Sequence, residues 1–192
     1  RRVLEPAEQL ERARVILEDA YDRARAESLR DALTGLGNHR AFQEEFERQW
    51  LIARRHGMPL ALALIDLDDF KRVNDVGGHG AGDRCLALFA RTLAGQLRRS
   101  DRAFRVGGDE FAILLGQSDA DGAYMTIRRL LAASLEGSTG YEMKPSVSFT
   151  AGVSALPGPA VDRESMYRQA DAALYWGKRH GRTDVALFDP VR

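Results

Sequence analysis

The chain has 192 residues, its 28 Lys plus Arg are matched by 28 Asp plus Glu, and 44% of its residues are apolar against 29% charged. That balance excludes a disordered chain, which needs low hydrophobicity and high net charge, and a dedicated duplex-DNA binder, which carries a net basic face. A single cysteine, Cys85, excludes a disulfide framework and a Cys-rich zinc site, and no apolar run is long enough to span a bilayer. The chain opens Arg1-Arg2-Val3 without an initiator Met, so we expect a piece of a longer protein whose other part carries a sensor or an anchor.

Residues 1–30 are rich in Ala, Arg, Glu and Leu, and a seven-residue frame puts Val3, Leu10, Leu17 and Ala24 at one seam position and Pro6, Ala13, Ala20 and Glu27 at the other. Good helix formers with that period predict a helix that is either a coiled-coil stalk or an amphipathic helix folded onto its own domain. In 31–38, two glycines and an asparagine end this helix and start the next, with Asn38 as N-cap. The following helix carries Phe42, Phe46 and Trp50 on one face, and 56–59 breaks it. The apolar run 60–65 predicts a buried strand that stops at Asp66. A helix over 83–96 turns Cys85, Leu86, Phe89, Ala90 and Leu93 inward. Strands over 102–106 and 111–115 flank Gly107-Gly108-Asp109-Glu110, read as a hairpin whose paired glycines supply positive φ. A helix over 121–135, a strand over 147–153, a helix over 165–178 and a strand over 185–188 complete the chain. The class is therefore α/β (α+β), with a central mixed, partly antiparallel sheet flanked by helices. The expected domains are 1–30, a signalling helix, and 31–192, one globular unit.

There is no P-loop, no third glycine after Gly35 and Gly37, no HExxH, GxSxG or CxxC, and the four histidines show no ligand spacing. Acids instead gather in two places: Asp66, Asp68 and Asp69 beyond the apolar strand, and Asp109-Glu110 at the hairpin. Acids at neighbouring strand ends can converge on one hard cation, with a backbone carbonyl such as that of Leu67 as a further oxygen. Gly107 and Gly108 allow a ligand to approach closely. Lys71, Lys178 and Arg182 can balance a polyphosphate, and the amides after Asp66 lead into a helical turn suited to phosphate.

Arg105-Val-Gly-Gly-Asp-Glu-Phe111 resembles the signature of the GGDEF family, the diguanylate cyclases. Four further segments stand in that family's order: Asp31-Ala-Leu-Thr-Gly-Leu-Gly-Asn38, then Asp66-Leu-Asp-Asp-Phe-Lys71 with Asn74-Asp75, then Gly78-His79 with Gly82-Asp83, and last Ala170-Asp171 through Lys178. The resemblance covers the chain from about residue 31 onward. It implies a fold like the palm of nucleotide cyclases and polymerases, and condensation of two GTP into cyclic di-GMP with release of two pyrophosphates.

Position by position, the resemblance implies Mg²⁺ (or Mn²⁺) held by Asp66, Asp109 and the Leu67 carbonyl, with Glu110 as either a second-metal ligand or the base for the attacking 3′-hydroxyl. It implies guanine reading by Asn74 and Asp83, whose amide and carboxylate match guanine and not adenine. Lys71, Lys178 and Arg182 become triphosphate contacts, and Phe70 and Gly107 line the substrate. Arg98 and Asp101, spaced RxxD, together with Arg129, match a product-binding inhibitory site. Because one domain holds one GTP, two must meet face to face, which gives residues 1–30 a role as a dimerising stalk. The resemblance implies a homodimer, a cytoplasmic location where GTP is found, and no duplex nucleic acid as partner. The alternative is a catalytically weak module that binds GTP or cyclic di-GMP as a receiver. Two departures stand out: Gly177 replaces the family's common Ala and is expected to loosen a helix end, and Gly77-Gly78-His79-Gly80 is expected to be a mobile loop.

Overall fold

The structure is a computed structural model that describes residues 6–136 and 147–189, with side chains from residue 10 onward. Val3, assigned to the seam, lies outside the described residues, as do 190–192 at the end of the second expected domain.

Helix α1 (Pro6–Ser28) is described from its proline onward. Every side chain described from 10 to 28 is exposed, and Leu10 and Leu17 keep 73% and 71% of their surface. The helix is therefore not folded onto its domain; a 3.5 Å ion pair from Arg25 to Glu44 is its side-chain link to the next helix.

Helix α2 (His39–His56) is capped as expected: the Asn38 side chain accepts from the Ala41 amide, and Gly57 ends the helix in the left-handed region. Its Phe42, Phe46 and Trp50 are buried. Strand β1 (Leu60–Leu67) follows, then α3 (Phe70–Gly77), α4 (His79–Gln96), β2 (Arg102–Arg105), β3 (Glu110–Gly116), α5 (Ala120–Leu135), β4 (Phe149–Leu156), α6 (Arg163–Arg179) and β5 (Val185–Leu187). The sheet order is β2-β3-β1-β4-β5, antiparallel throughout except for the parallel β4–β5 edge.

The central position of β1 explains its continuous apolar run, because both of its faces are covered. On one face Ala61, Ala63, Ile65 and Leu67 meet Leu86, Phe89 and Leu93 of α4 and Ile127, Leu130 and Leu131 of α5. On the other, Leu60, Leu62 and Leu64 meet α2 and Met166, Ala170 and Leu174 of α6. Phe89 stands edge-on to Phe111 at 4.9 Å and to Phe149 at 5.3 Å. Truncating such a ring to Ala costs about 3–5 kcal/mol.

Three expectations need correction. Helix α4 starts at His79, not 83, so the glycine-rich run is no extended loop: Gly78, at φ 73°, is a one-residue joint between two helices packed side by side. Gly107 and Gly108 are not among the positive-φ residues. What Gly107 provides is space, since a Cβ there would collide with the Glu110 carboxylate. Strand β4 is shifted to Phe149–Leu156, with Val147 and Ser148 ahead of it.

Candidate active site

Strand alternation turns Asp66 to the same face as Leu62 and Leu64, the face that α6 covers. Asp66 is the only interruption in the burial of β1. Glu110 is its register partner across the β1–β3 ladder, so both carboxylates leave the sheet end on the α6 side. The Leu67 amide donates to the Asp109 carbonyl at 3.2 Å, which brings the two acidic segments into backbone contact. Asp66, Leu67, Asp109 and Glu110, the four expected metal-site residues, therefore sit together at one strand end.

Two of the three cations assigned to phosphate are engaged with acids here. Lys178 Nζ lies 2.7 Å from Asp66 Oδ2, and Arg182 Nη1 lies 2.8 Å from Asp69 Oδ1. Burial is the main influence on Asp66 and pushes its pKa up; Lys178 opposes the rise, and the charges of Asp109 and Asp68 add to it. A carboxylate crowded by two like charges and by desolvation favours a cation beside it. The donors are all oxygen, which fits a hard ion such as Mg²⁺. Among the described residues no three acidic, His or Cys side chains gather closely enough to cage a metal alone.

Asp68 has a different task. Its Oδ1 accepts from Thr150 Oγ1 at 2.8 Å, and its Oδ2 accepts from the Thr183 amide and hydroxyl at 3.0 and 2.8 Å. It ties the end of β1 to β4 and to the loop after α6. Asp69 adopts φ 53° and, among the described residues, makes no side-chain cap to α3. Lys71 lies in the first turn of α3, and the amides at a helix start suit phosphate oxygens.

Asn74 lies in the α3–α4 interface: a Cβ on Gly82 would collide with its Oδ1 and stand 3.1 Å from the Phe70 ring. Gly82 therefore lets α3 approach α4, and places Asn74 beside the start of α4 where Asp83 is exposed. Asn74 and Asp83, the two residues expected to read guanine, thus come from neighbouring helices.

Sequence reasoning assigned no role to three further features at this end. Arg105 pairs with both Asp31 oxygens at 3.3 Å and donates to the Gly108 carbonyl at 2.8 Å, joining the 31–38 segment to the signature turn. The Asp68 tether was not foreseen. Tyr167 and Asp171, one turn apart on α6, line a small cleft with Val106 and Glu110. Burial pushes the Tyr167 hydroxyl pKa up, helped by the charges of Asp171 and Glu110. The signals available for these were the segments that hold them, 31–38, 66–71, 105–111 and Ala170-Asp171; none pointed to Tyr167.

The expected inhibitory residues also stand together. Arg129 Nη2 donates to the Gln96 carbonyl at 3.2 Å, which sets it beside the Arg98 turn. Asp101 is 7% exposed, and its Oδ2 accepts from the Arg98 amide at 3.0 Å. The carboxylate thus caps its own turn, while the arginines are exposed.

The sequence profile of the family described as diguanylate cyclase, GGDEF domain, matches residues 28–184. Diguanylate cyclase DgcP of Pseudomonas aeruginosa is 40% identical over 82% of this chain and 24% of that protein. DgcS of Shewanella oneidensis is 32% identical over 87% of this chain and 55% of that one. The chain thus spans between a quarter and about half of these relatives. Among solved structures, the coiled coil and GGDEF domain of DgcB from Caulobacter crescentus, in complex with c-di-GMP, superposes with TM-score 0.79 at 28% identity, covering 94% of each chain. The chain belongs to the GGDEF-domain family of diguanylate cyclases.

Proposed function

We propose that this domain condenses two GTP into cyclic di-GMP and two pyrophosphates. The observation that carries the reading is the cross-strand placement of Asp66 and Glu110 with Asp109 beside them, beneath Lys178. Asp66, Asp109 and the Leu67 carbonyl would hold Mg²⁺ or Mn²⁺, with Glu110 next to them; the ion, when bound, polarises the α-phosphate and offsets charge on the departing pyrophosphate.

The remaining work falls to the chain itself. Asn74 and Asp83 read the guanine edge; an adenine would leave the Asp83 carboxylate without its donors. Lys71, Lys178, Arg182 and the first amides of α3 take the triphosphate, with Phe70 and Gly107 forming the walls. Binding is an exchange: the Lys178–Asp66 and Arg182–Asp69 pairs open as phosphate oxygens replace the carboxylates. The 3′-hydroxyl oxygen of one GTP bonds to the α-phosphorus of the other, the bond from that phosphorus to the pyrophosphate oxygen breaks, and the hydroxyl proton passes to a carboxylate, for which Glu110 is placed. The step then repeats in the opposite sense.

Each domain brings one nucleotide, so two domains face each other, and apposition turns a bimolecular encounter into an oriented one. The exposed apolar side chains Leu10, Leu17 and Tyr21 of α1 suit a parallel stalk between two copies that relays an upstream signal. Cyclic di-GMP binding at Arg98 and Arg129 would restrain the enzyme, with Asp101 shaping the turn. Among the described residues no helix is long and apolar enough to cross a membrane. Incubation with GTP and Mg²⁺, with products resolved by chromatography, tests the activity. Cyclic di-GMP is expected, whereas a module that only binds would return GTP unchanged.

A further inference from the structure

Helix α6 rests on β4 at two points where a side chain is missing. On the strand, Gly152 lies so close to the helix backbone that a Cβ there would stand 2.7 Å from Leu174 Cα and collide with the Leu174 nitrogen and the Ala170 carbonyl. On the helix, nearly one turn further on, a Cβ at Gly177 would stand 2.9 Å from Thr150 Cγ2. Carbon atoms in ordinary contact sit about 3.5–4.0 Å apart, so an alanine at 177 requires one partner to move. Thr150 is poorly placed to yield. It is fully buried and β-branched. Its hydroxyl donates to Asp68 Oδ1 at 2.8 Å and accepts from the Thr183 amide at 3.1 Å, so rotating the methyl away would break both bonds. The helix is the part that would be displaced.

The residue after Gly177 is Lys178, whose ammonium reaches Asp66 at 2.7 Å. The amide of Arg182 also donates to the Gly177 carbonyl at 3.2 Å, so the second cation is hung from the same residue. We infer that Gly177, seated against the methyl of Thr150, is a positioning residue that sets the reach of Lys178 and Arg182 into the substrate site. Gly177 is thus a tight seat for the end of α6, the opposite of the loosening expected from its sequence. The inference rests on Lys178 being a triphosphate contact. It adds that the affinity of this contact is tuned by a helix–strand distance under the control of two residues that touch neither metal nor nucleotide.

The test is equilibrium binding of α,β-methylene GTP with Mg²⁺ to the whole chain, well below its melting temperature. Gly177→Ala is expected to weaken binding about tenfold, the size of a lost charge-assisted hydrogen bond. Thr150→Ser removes the obstructing methyl and keeps the hydroxyl that Asp68 uses, so Gly177→Ala/Thr150→Ser is expected to return affinity to within about twofold of the parent. A helix merely weakened by overpacking would lose melting temperature without this selective recovery of affinity. Unchanged binding in Gly177→Ala, or equal weakening in the double variant, overturns the inference. If Gly177→Ala alone does not fold, the double variant decides: parental affinity supports the inference and weakened affinity overturns it. Lys178→Met separates the two levels. If its binding matches the parent, the Lys178 assignment itself fails and the inference falls with it. If it binds weakly while Gly177→Ala does not, only the positioning role fails.

Discussion

Asp66 and Asp101 are both half-hidden or hidden acids beside strand ends, and both neighbour cations, yet they are held in different ways. Asp66 is paired with Lys178, a side chain delivered by another helix, and Asp109 and Asp68 crowd it with like charge. Asp101 is bound to the backbone amide of Arg98, three residues away, and to Ser100 Oγ at 3.3 Å. An acid held by a cation from a different element can trade that cation for one brought by a ligand, at little structural cost. An acid locked on its own turn cannot be traded without loosening the turn. In the proposed function the first arrangement is the substrate site, and in the second the exposed arginines are the groups that would meet a ligand.

The largest expected effect belongs to the first region. Asp109→Ala should lower cyclic di-GMP formation by about a thousandfold or more, a loss typical of removing a group that stabilises charge in the transition state. Activity near the parental rate would place the acidic strand end outside the chemistry. Next, Asp83→Ala should reduce discrimination of GTP over ATP by about a hundredfold, read as the ratio of kcat/KM values; an unchanged ratio would move guanine reading elsewhere. The second region is sharpened by a contrast. Arg98→Ala should weaken inhibition by cyclic di-GMP about tenfold while leaving the melting temperature alone. Asp101→Ala should lower the melting temperature by about 2–6 °C, because it strips a buried acceptor from a backbone amide. Equal stability of the two variants would erase the distinction drawn between the turn and its arginines.

A smaller effect concerns Asp31. Burial acts to raise its pKa, but the hydroxyl and amide of Thr34 and the charge of Arg105 together hold it below the usual 3.8. With the folded-state value depressed, its contribution to stability is complete above the unfolded-state pKa and fades as pH falls through the folded one. Asp31→Asn should therefore cost about 1 kcal/mol at neutral pH and nothing in strong acid, followed by denaturant unfolding across that range. A difference that persists at the acid end would show that the charge of Asp31 is not its source.

Much of the fold was legible because it rests on short-range rules. The β1 run is apolar since both of its faces are covered, the Phe42–Phe46–Trp50 stripe marks a core-facing helix, and Asn38 is the cap it reads as. The acids at the site were legible too, as acids in places where a fold gains little from them. What remained hidden depends on partners far along the chain. Asp68 reads like its neighbours Asp66 and Asp69, and only the approach of Thr150 and Thr183 makes it a tether. Gly177 reads as a weak helix end until the Thr150 methyl is seen against it. The early start of α4 was missed because glycine normally disfavours a helix. Here the close approach of Gly82 to Asn74 and Phe70, and a single turn of backbone at Gly78, outweigh that preference.

The most direct measurement is the anomalous scattering of Mn²⁺ in crystals of this chain grown with α,β-methylene GTP. The account predicts a peak within coordination distance of both Asp66 and Asp109 and touching the phosphates, absent in Asp109→Ala. A manganese bound to the triphosphate but distant from both carboxylates would contradict it.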